Sequence, residues 1–278
     1  MKLSKGKIIL VIIVINFSIF AVINVNKEKN INSEMLKKVV YVTDGKVDSK
    51  NEGKLVLVSG KISYDNLVSF IELDDSFGTI KINRKVEDYI KYYDEDDKEY
   101  NYKWKERKKP LENSDNDYLK QILSDEKISK VKIGEYELDD KGLKLIPTDK
   151  YYAKQDSIGD LTTTGIDYTR DPHEEDLKVG DIKLTYKYYD LDKNPYISVL
   201  AVQKGNSFVP YVVDKKTEVY EVFVGNINTK EKLTKELDLN VKRTKKGKIL
   251  FIIMIIGLGV FFIVDAKKGK SKWKEVLE

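Results

Sequence analysis

The chain carries a single histidine, His173, inside the run Arg170-Asp171-Pro172-His173-Glu174-Glu175-Asp176. An imidazole among carboxylates is what a general base or a metal ligand requires. Pro172 and the density of charge mark an exposed loop instead, so a solvated turn is the expectation. Two acidic runs invite a calcium reading. Asp94-Glu95-Asp96-Asp97 has the right ligand type, and Asp190-Leu191-Asp192-Lys193-Asn194 opens with ligands at alternate positions. A calcium loop needs Gly at its sixth position and Glu at its twelfth. The second run has Pro195 and Ala201 there, so both runs read as solvated turns. The absence of cysteine excludes disulfides, thiolate metal sites and a cysteine nucleophile. There is no glycine-rich phosphate loop and no Gly-x-Ser-x-Gly elbow. Serine and lysine are too abundant for a Ser/Lys dyad to stand out. No catalytic, cofactor-binding or metal-binding residue is assigned, no cofactor is implied, and the protein is expected not to be an enzyme. The 18 tyrosines, several in pairs such as Tyr92-Tyr93, Tyr151-Tyr152 and Tyr188-Tyr189, could line a ligand groove. Strand propensity explains them equally well.

Strands dominate what must position these residues. Leu55 to Ile62 is an apolar run bounded by glycine. Gly78 to Val86 and Asp181 to Tyr188 alternate with period two. Ile197 to Gln203, a Gly205-Asn206 turn and Ser207 to Val209 read as a hairpin. Val219 to Val224 reads as a further strand. Helix is confined to a short stretch from Asp117 to Ser124 and to Lys230 to Leu239, the latter capped by Asn228 or Thr229.

Of all residues 41% are hydrophobic and 35% are charged, so most of the chain must face water. The net charge of +4 sits mainly near the ends. Lys2, Lys5 and Lys7 precede the apolar run 8–25, and Lys242, Arg243, Lys245, Lys246 and Lys248 precede the apolar run 249–264. Without that second cluster the middle of the chain is net acidic, which removes the basic patch a nucleic-acid partner needs. Both apolar runs have roughly the length of a membrane span, and flanking lysines can snorkel to extend the second. The first lacks a good cleavage site, so it reads as an uncleaved anchor rather than a signal peptide. Lysine placement puts both termini on the cytoplasmic side and the central domain outside it.

Three segments together carry a family resemblance. The first is Ile82-Asn83-Arg84-Lys85-Val86-Glu87-Asp88-Tyr89-Ile90, followed after an acidic turn by Tyr100-Asn101-Tyr102-Lys103-Trp104. The second is Val131 to Leu138, and the third is Val179-Gly180-Asp181-Ile182. In order and spacing they resemble the transmembrane protein 43 family, also called LUMA, over roughly residues 1–264. The resemblance implies a large extracytoplasmic or lumenal domain between membrane spans, and a role in organising membrane protein complexes. It carries no established catalytic residues. The family has several spans after the domain, whereas one apolar run follows it here.

The expected fold class is a membrane-anchored α+β protein, with a mainly antiparallel β extracytoplasmic domain between two transmembrane helices. Residues 1–7 form a cytoplasmic N-terminus, 8–25 and 249–264 the membrane helices, 26–247 the β domain and 265–278 a basic cytoplasmic tail. The motif residues Arg84, Glu87, Tyr100, Trp104, Gly180 and Asp181 are expected to be structural. Arg84 and Glu87, three apart on a strand, should point to opposite faces. The expected activity is that of a scaffold in an integral membrane protein, with membrane lipid, other membrane proteins or a second copy as partners. The alternative is an envelope ligand-binding or sensing protein. The lysine-rich composition points to a bacterial cell membrane.

Overall fold

The computed structural model describes residues 30–111, 118–170, 177–215 and 217–242. Val40–Asn228 forms one compact unit, and the described residues on either side of it belong to a second.

In the first unit, two sheets divide the strands. The strands are β1 (Val40–Val42), β2 (Leu55–Tyr64), β3 (Lys81–Asp94), β4 (Glu99–Glu106), β5 (Asp125–Ile128), β6 (Val131–Ile133), β7 (Tyr136–Glu137), β8 (Lys150–Tyr151), β9 (Ser157–Ile158), β10 (Leu161–Thr163), β11 (Asp167–Thr169), β12 (Ile182–Tyr188), β13 (Tyr196–Lys204), β14 (Ser207–Val209), β15 (Tyr211–Asp214), β16 (Thr217–Val219) and β17 (Glu221–Val224). The first sheet runs β14-β13-β2-β6-β7, with β1 beside β2 and β17 beside β13. It curls towards closure. The Glu137 N–H donates to the Asn206 carbonyl at 2.8 Å, and Tyr136 stacks on Phe208 with ring centres 5.3 Å apart. The second sheet runs β4-β3-β12-β11-β10-β9, with β5 beside β3 and β8 beside β12. β15 and β16 form a separate hairpin.

Each sheet has its own apolar core. Val56, Val58, Ile80, Ile133, Tyr136, Tyr189 and Val199 fill the first. The second is rich in aromatics, among them Phe70, Phe77, Tyr152, Tyr168 and Tyr186. Phe77 meets Tyr152 and Tyr188 edge-on, with ring centres 4.5 and 5.0 Å apart. The alternation of β12 explains its place. Ile182, Leu184, Tyr186 and Tyr188 are buried, while Lys183, Thr185 and Lys187 lie on the other face. The chain passes between cores at two neighbouring points. Ile80 belongs to the first core and Ile82 to the second, and Tyr189 and Tyr188 divide the same way. The Tyr189 N–H donates to the Lys81 carbonyl at 2.9 Å, which ties the two crossings together.

Residues 30–38 are helical, as are 230–242. We call these α1 and α4. Between them lie α2 (Tyr118–Gln121) and α3 (Asp140–Leu145). The Thr229 side chain accepts from the Lys232 N–H and caps α4. Leu233, Leu237 and Val241, spaced along one side of α4, are buried.

The strands foreseen at 55–62, in the 181–188 stretch and in the 197–209 hairpin are present with nearly those limits. Val219 to Val224 is not one strand, because it breaks at Tyr220 between β16 and β17. The expected fold class needs correction. The described chain is β-rich with short helices, and among the described residues no helix is long and apolar enough to cross a membrane. Its apolar residues alternate along strands and fill two sheet cores, leaving no continuous apolar helix face all round. The pairing of β1 with β2 is parallel, an exception to the antiparallel rule. The segments 8–25 and 249–264, read as membrane helices, lie outside the described residues, as does His173.

Gly134 sits at a positive φ of 59° in the β6–β7 turn. A Cβ there would come within 2.3 Å of the Gly45 carbonyl oxygen. Gly205 has φ 60° but open space around it. Gly134→Ala should therefore cost roughly 3 kcal/mol, adding a collision to backbone strain. Gly205→Ala should cost about 1 kcal/mol. Thermal unfolding of the two variants beside the parent chain checks the order.

Candidate functional site

The six motif residues gather around β3, β4 and β12, and most of them meet at one place. β3 is 14 residues long. β12 covers it only from Ile82 to Asp88. Beyond Asp88 its only strand partner is β4, so Tyr89 to Asp94 and Glu99 to Trp104 form a two-stranded ribbon. The root of this ribbon is where the motifs come together.

On the core side of β3, Arg84 reaches the Glu72 carboxylate at 2.6 Å, with both side chains nearly excluded from water. Glu72 also accepts from the phenols of Tyr118 at 2.6 Å and Tyr186 at 2.7 Å. Arg84 donates from Nε to the Leu123 carbonyl, and its guanidinium lies 4.2 Å from the Phe70 ring centre. Burial alone would push the Glu72 carboxyl up. The hydrogen bonds from Tyr118, Arg84 and Tyr186 outweigh it and hold the carboxyl below its ordinary range. Burial and the adjacent carboxylate push Tyr118 up to about 12 and Tyr186 higher still. None of these groups changes charge near neutral pH, so the cluster suits a fixed tie better than proton transfer.

On the opposite face, Glu87 is buried between Lys85 at 2.7 Å and Lys183 at 3.3 Å. Lys183 also sits 4.5 Å over the Trp104 ring. Trp104 in turn packs against Tyr89, ring centres 5.2 Å apart. Glu87 and Trp104 thus share one lysine. Gly180 adopts φ 96°, which lets the chain turn so that its N–H reaches the Tyr89 carbonyl. The Asp181 carbonyl accepts from the Tyr89 N–H, completing the clasp. The Asp181 carboxylate accepts from the Lys178 N–H at 2.7 Å and closes its own turn. Arg84 alone faces away from this group, and Tyr100 lies out along the ribbon.

The ribbon itself has two unlike faces. Directly opposed residues in antiparallel strands share a face. The pairs Tyr89–Trp104, Lys91–Tyr102 and Tyr93–Tyr100 therefore line one side. Tyr89 and Tyr102 are stacked, Tyr93 and Tyr100 meet edge-on, and Lys91 lies 4.4 Å over the Tyr100 ring. Tyr93, Tyr100 and Tyr102 are 51%, 62% and 51% exposed. Asp88, Asp94, Glu99, Lys103 and Lys105 lie on the other side, together with Ile90, Tyr92 and Asn101.

Several partners in this region carry no sequence signal. Glu72 sits in a Glu-Leu-Asp-Asp run, 114 residues from Tyr186. Arg107 is buried and bidentate to Asp88, and it also donates to the carbonyls of Leu119 and Ile122. Only the apolar pattern around them, not their own types, hints at burial. Asp190 accepts from the Lys193 N–H and closes a turn. Of the tyrosine pairs, Tyr152, Tyr188 and Tyr189 belong to the cores, while Tyr92, Tyr93 and Tyr151 are outside them.

Arg84→Met should leave Glu72 buried without its cation and cost roughly 3–5 kcal/mol. The depressed Glu72 carboxyl stabilises the fold above the ordinary carboxylate range, and that contribution is lost as pH falls through its native value. Glu72→Gln should therefore be less stable near neutrality, and its stability should decline less steeply on acidification than the parent's. Denaturant unfolding at a series of acid pH values measures both slopes.

A family model described as transmembrane protein 43 matches residues 83–266, about two thirds of the chain. It begins beside Arg84 and takes in the whole ribbon and its root. No curated protein and no solved structure matches.

Proposed function

The chain belongs to the transmembrane protein 43 family, and from that premise we propose that it is a non-enzymatic scaffold that holds membrane protein complexes together through its β domain. The observation that carries this reading is the exposed aromatic face of the β3–β4 ribbon. Tyrosine and tryptophan in exposed, pre-ordered arrays are the residues on which binding energy concentrates. Here they stand on a strand that the Glu72–Arg84 tie and the Gly180–Asp181 clasp hold in place, so little order has to be gained on binding. The family match supports association with a membrane. In this reading the β domain lies outside the cytoplasm of a bacterial cell, and its partners are other membrane proteins, a second copy, or membrane lipid, with no nucleic acid. The alternative, a ligand-binding protein with a tyrosine-lined groove, draws less support, because Tyr136, Tyr152, Tyr168, Tyr186 and Tyr189 are spent in the two cores.

Crosslinking and recovery of the full chain from native membranes tests the scaffold. Defined partners should be recovered with the parent chain. The triple change Tyr93→Ser, Tyr100→Ser and Tyr102→Ser should reduce their recovery about tenfold or more, the loss of several aromatic contacts. Deletion of Lys267 to Glu278 should leave it unchanged. Equal recovery with the triple variant would remove the ribbon from the interaction.

A further inference from the structure

The aromatic face of the ribbon differs from its reverse in charge as well as in chemistry. From Tyr89 to Tyr93 and from Tyr100 to Trp104 it presents five aromatic rings, with Lys91 among them and no carboxylate. At the root Lys183 lies over Trp104 and neutralises Glu87. Beyond the root the same face carries the opposed Glu87–Glu106 pair, with Glu87 held by Lys85 and Lys183, and the other carboxylates of this region are elsewhere. Asp88, Asp94 and Glu99 are on the reverse face, and Glu95, Asp96 and Asp97 are in the tip turn. A ring with an apolar body and a polar hydroxyl or N–H settles where apolar and aqueous surroundings meet. Lysine can lay its alkyl stem along such rings and keep its ammonium at a phosphate. Aromatic residues with interleaved lysine and no acid are the composition of a surface that rests at the headgroup level of a bilayer.

We propose that this face, from Tyr89 to Tyr93 and Tyr100 to Trp104, lies against the phospholipid headgroup layer. The proposal deepens the scaffold reading and rests on it: the occupant of the aromatic face is the lipid surface, and partner recovery depends on Tyr93, Tyr100 and Tyr102 because the ribbon seats the β domain on the membrane where its partners lie. The ribbon lies flat. Its aromatic face is turned to the headgroups, its charged reverse face to water, and the acidic tip turn is held in solvent by its own hydration. Lys91 meets lipid phosphate, so anionic lipid strengthens the contact and salt weakens it.

Two positions with opposite orientations make the test self-controlled. Tyr100→Trp and Asn101→Trp are made separately in full chains whose own Trp104 and Trp273 are changed to Phe, leaving one reporter in each. Both chains are reconstituted in vesicles of phosphatidylcholine and phosphatidylglycerol, with and without lipid brominated near the glycerol end of the acyl chain. The Tyr100→Trp reporter should be quenched about twofold more strongly than the Asn101→Trp reporter, as expected when one ring sits at the headgroup level and the other faces water. Equal quenching at the two positions, whether strong or absent, overturns the proposal. So does a preference for position 101. Matching thermal unfolding of the two chains shows that both are folded. If the positions are equal but protein partners still depend on Tyr93, Tyr100 and Tyr102, the scaffold stands and its docking partner is a protein. If that dependence is also absent, the scaffold reading fails separately.

Discussion

A carboxylate removed from water must be surrounded by donors, and Glu72 satisfies that demand by drawing four segments to one point. It comes from the turns after Phe70. Arg84 comes from β3, Tyr118 from the start of α2, and Tyr186 from β12. Charges buried this deeply cost several kcal/mol unless their geometry is complete. The constraint also fixes register. A one-residue slip of β3 against β12 would turn Arg84 to the opposite face and bring Glu87 into the aromatic core. Much of the second sheet is therefore specified by a polar contact inside an apolar core.

Parts of this were legible in the sequence. The strict alternation of β12 names both its faces without any partner. The hairpin of β13 and β14 is written in its Gly205-Asn206 turn, with Gly205 at φ 60°. The cap at Thr229 is a local signal of the same kind. In each case the cause acts within a few residues, which is the range a sequence pattern can report.

What was not legible is non-local. Beyond Val86 the run Glu-Asp-Tyr-Ile-Lys-Tyr-Tyr-Asp has no clean alternation, yet β3 continues because β4 returns along it and stacks ring on ring. Val219 to Val224 looks continuous. It breaks because Tyr220 turns into the first core and donates its phenol to Asp139, the residue that caps α3. The motif residues stood out by their order, but their common meeting point at the ribbon root depends on Lys183, a residue with nothing unusual about it. The expectation of membrane helices came from the two end segments, and the described part of the chain is built on sheet cores instead.

The shared use of β3 has a mechanical consequence. One unbroken strand begins between the two cores, passes the Glu72–Arg84 tie, and ends in the ribbon. A pull on the ribbon along its length loads the β3–β12 hydrogen bonds from Ile82 to Asp88 all together, in shear, because those bonds run across the strands. A pull that parts β4 from β3 across the ribbon opens the pairs one after another, from the open end at the root towards the turn that joins the strands. The same element is thus stiff against traction in one direction and yielding in the other, a directional compliance set by where β12 stops.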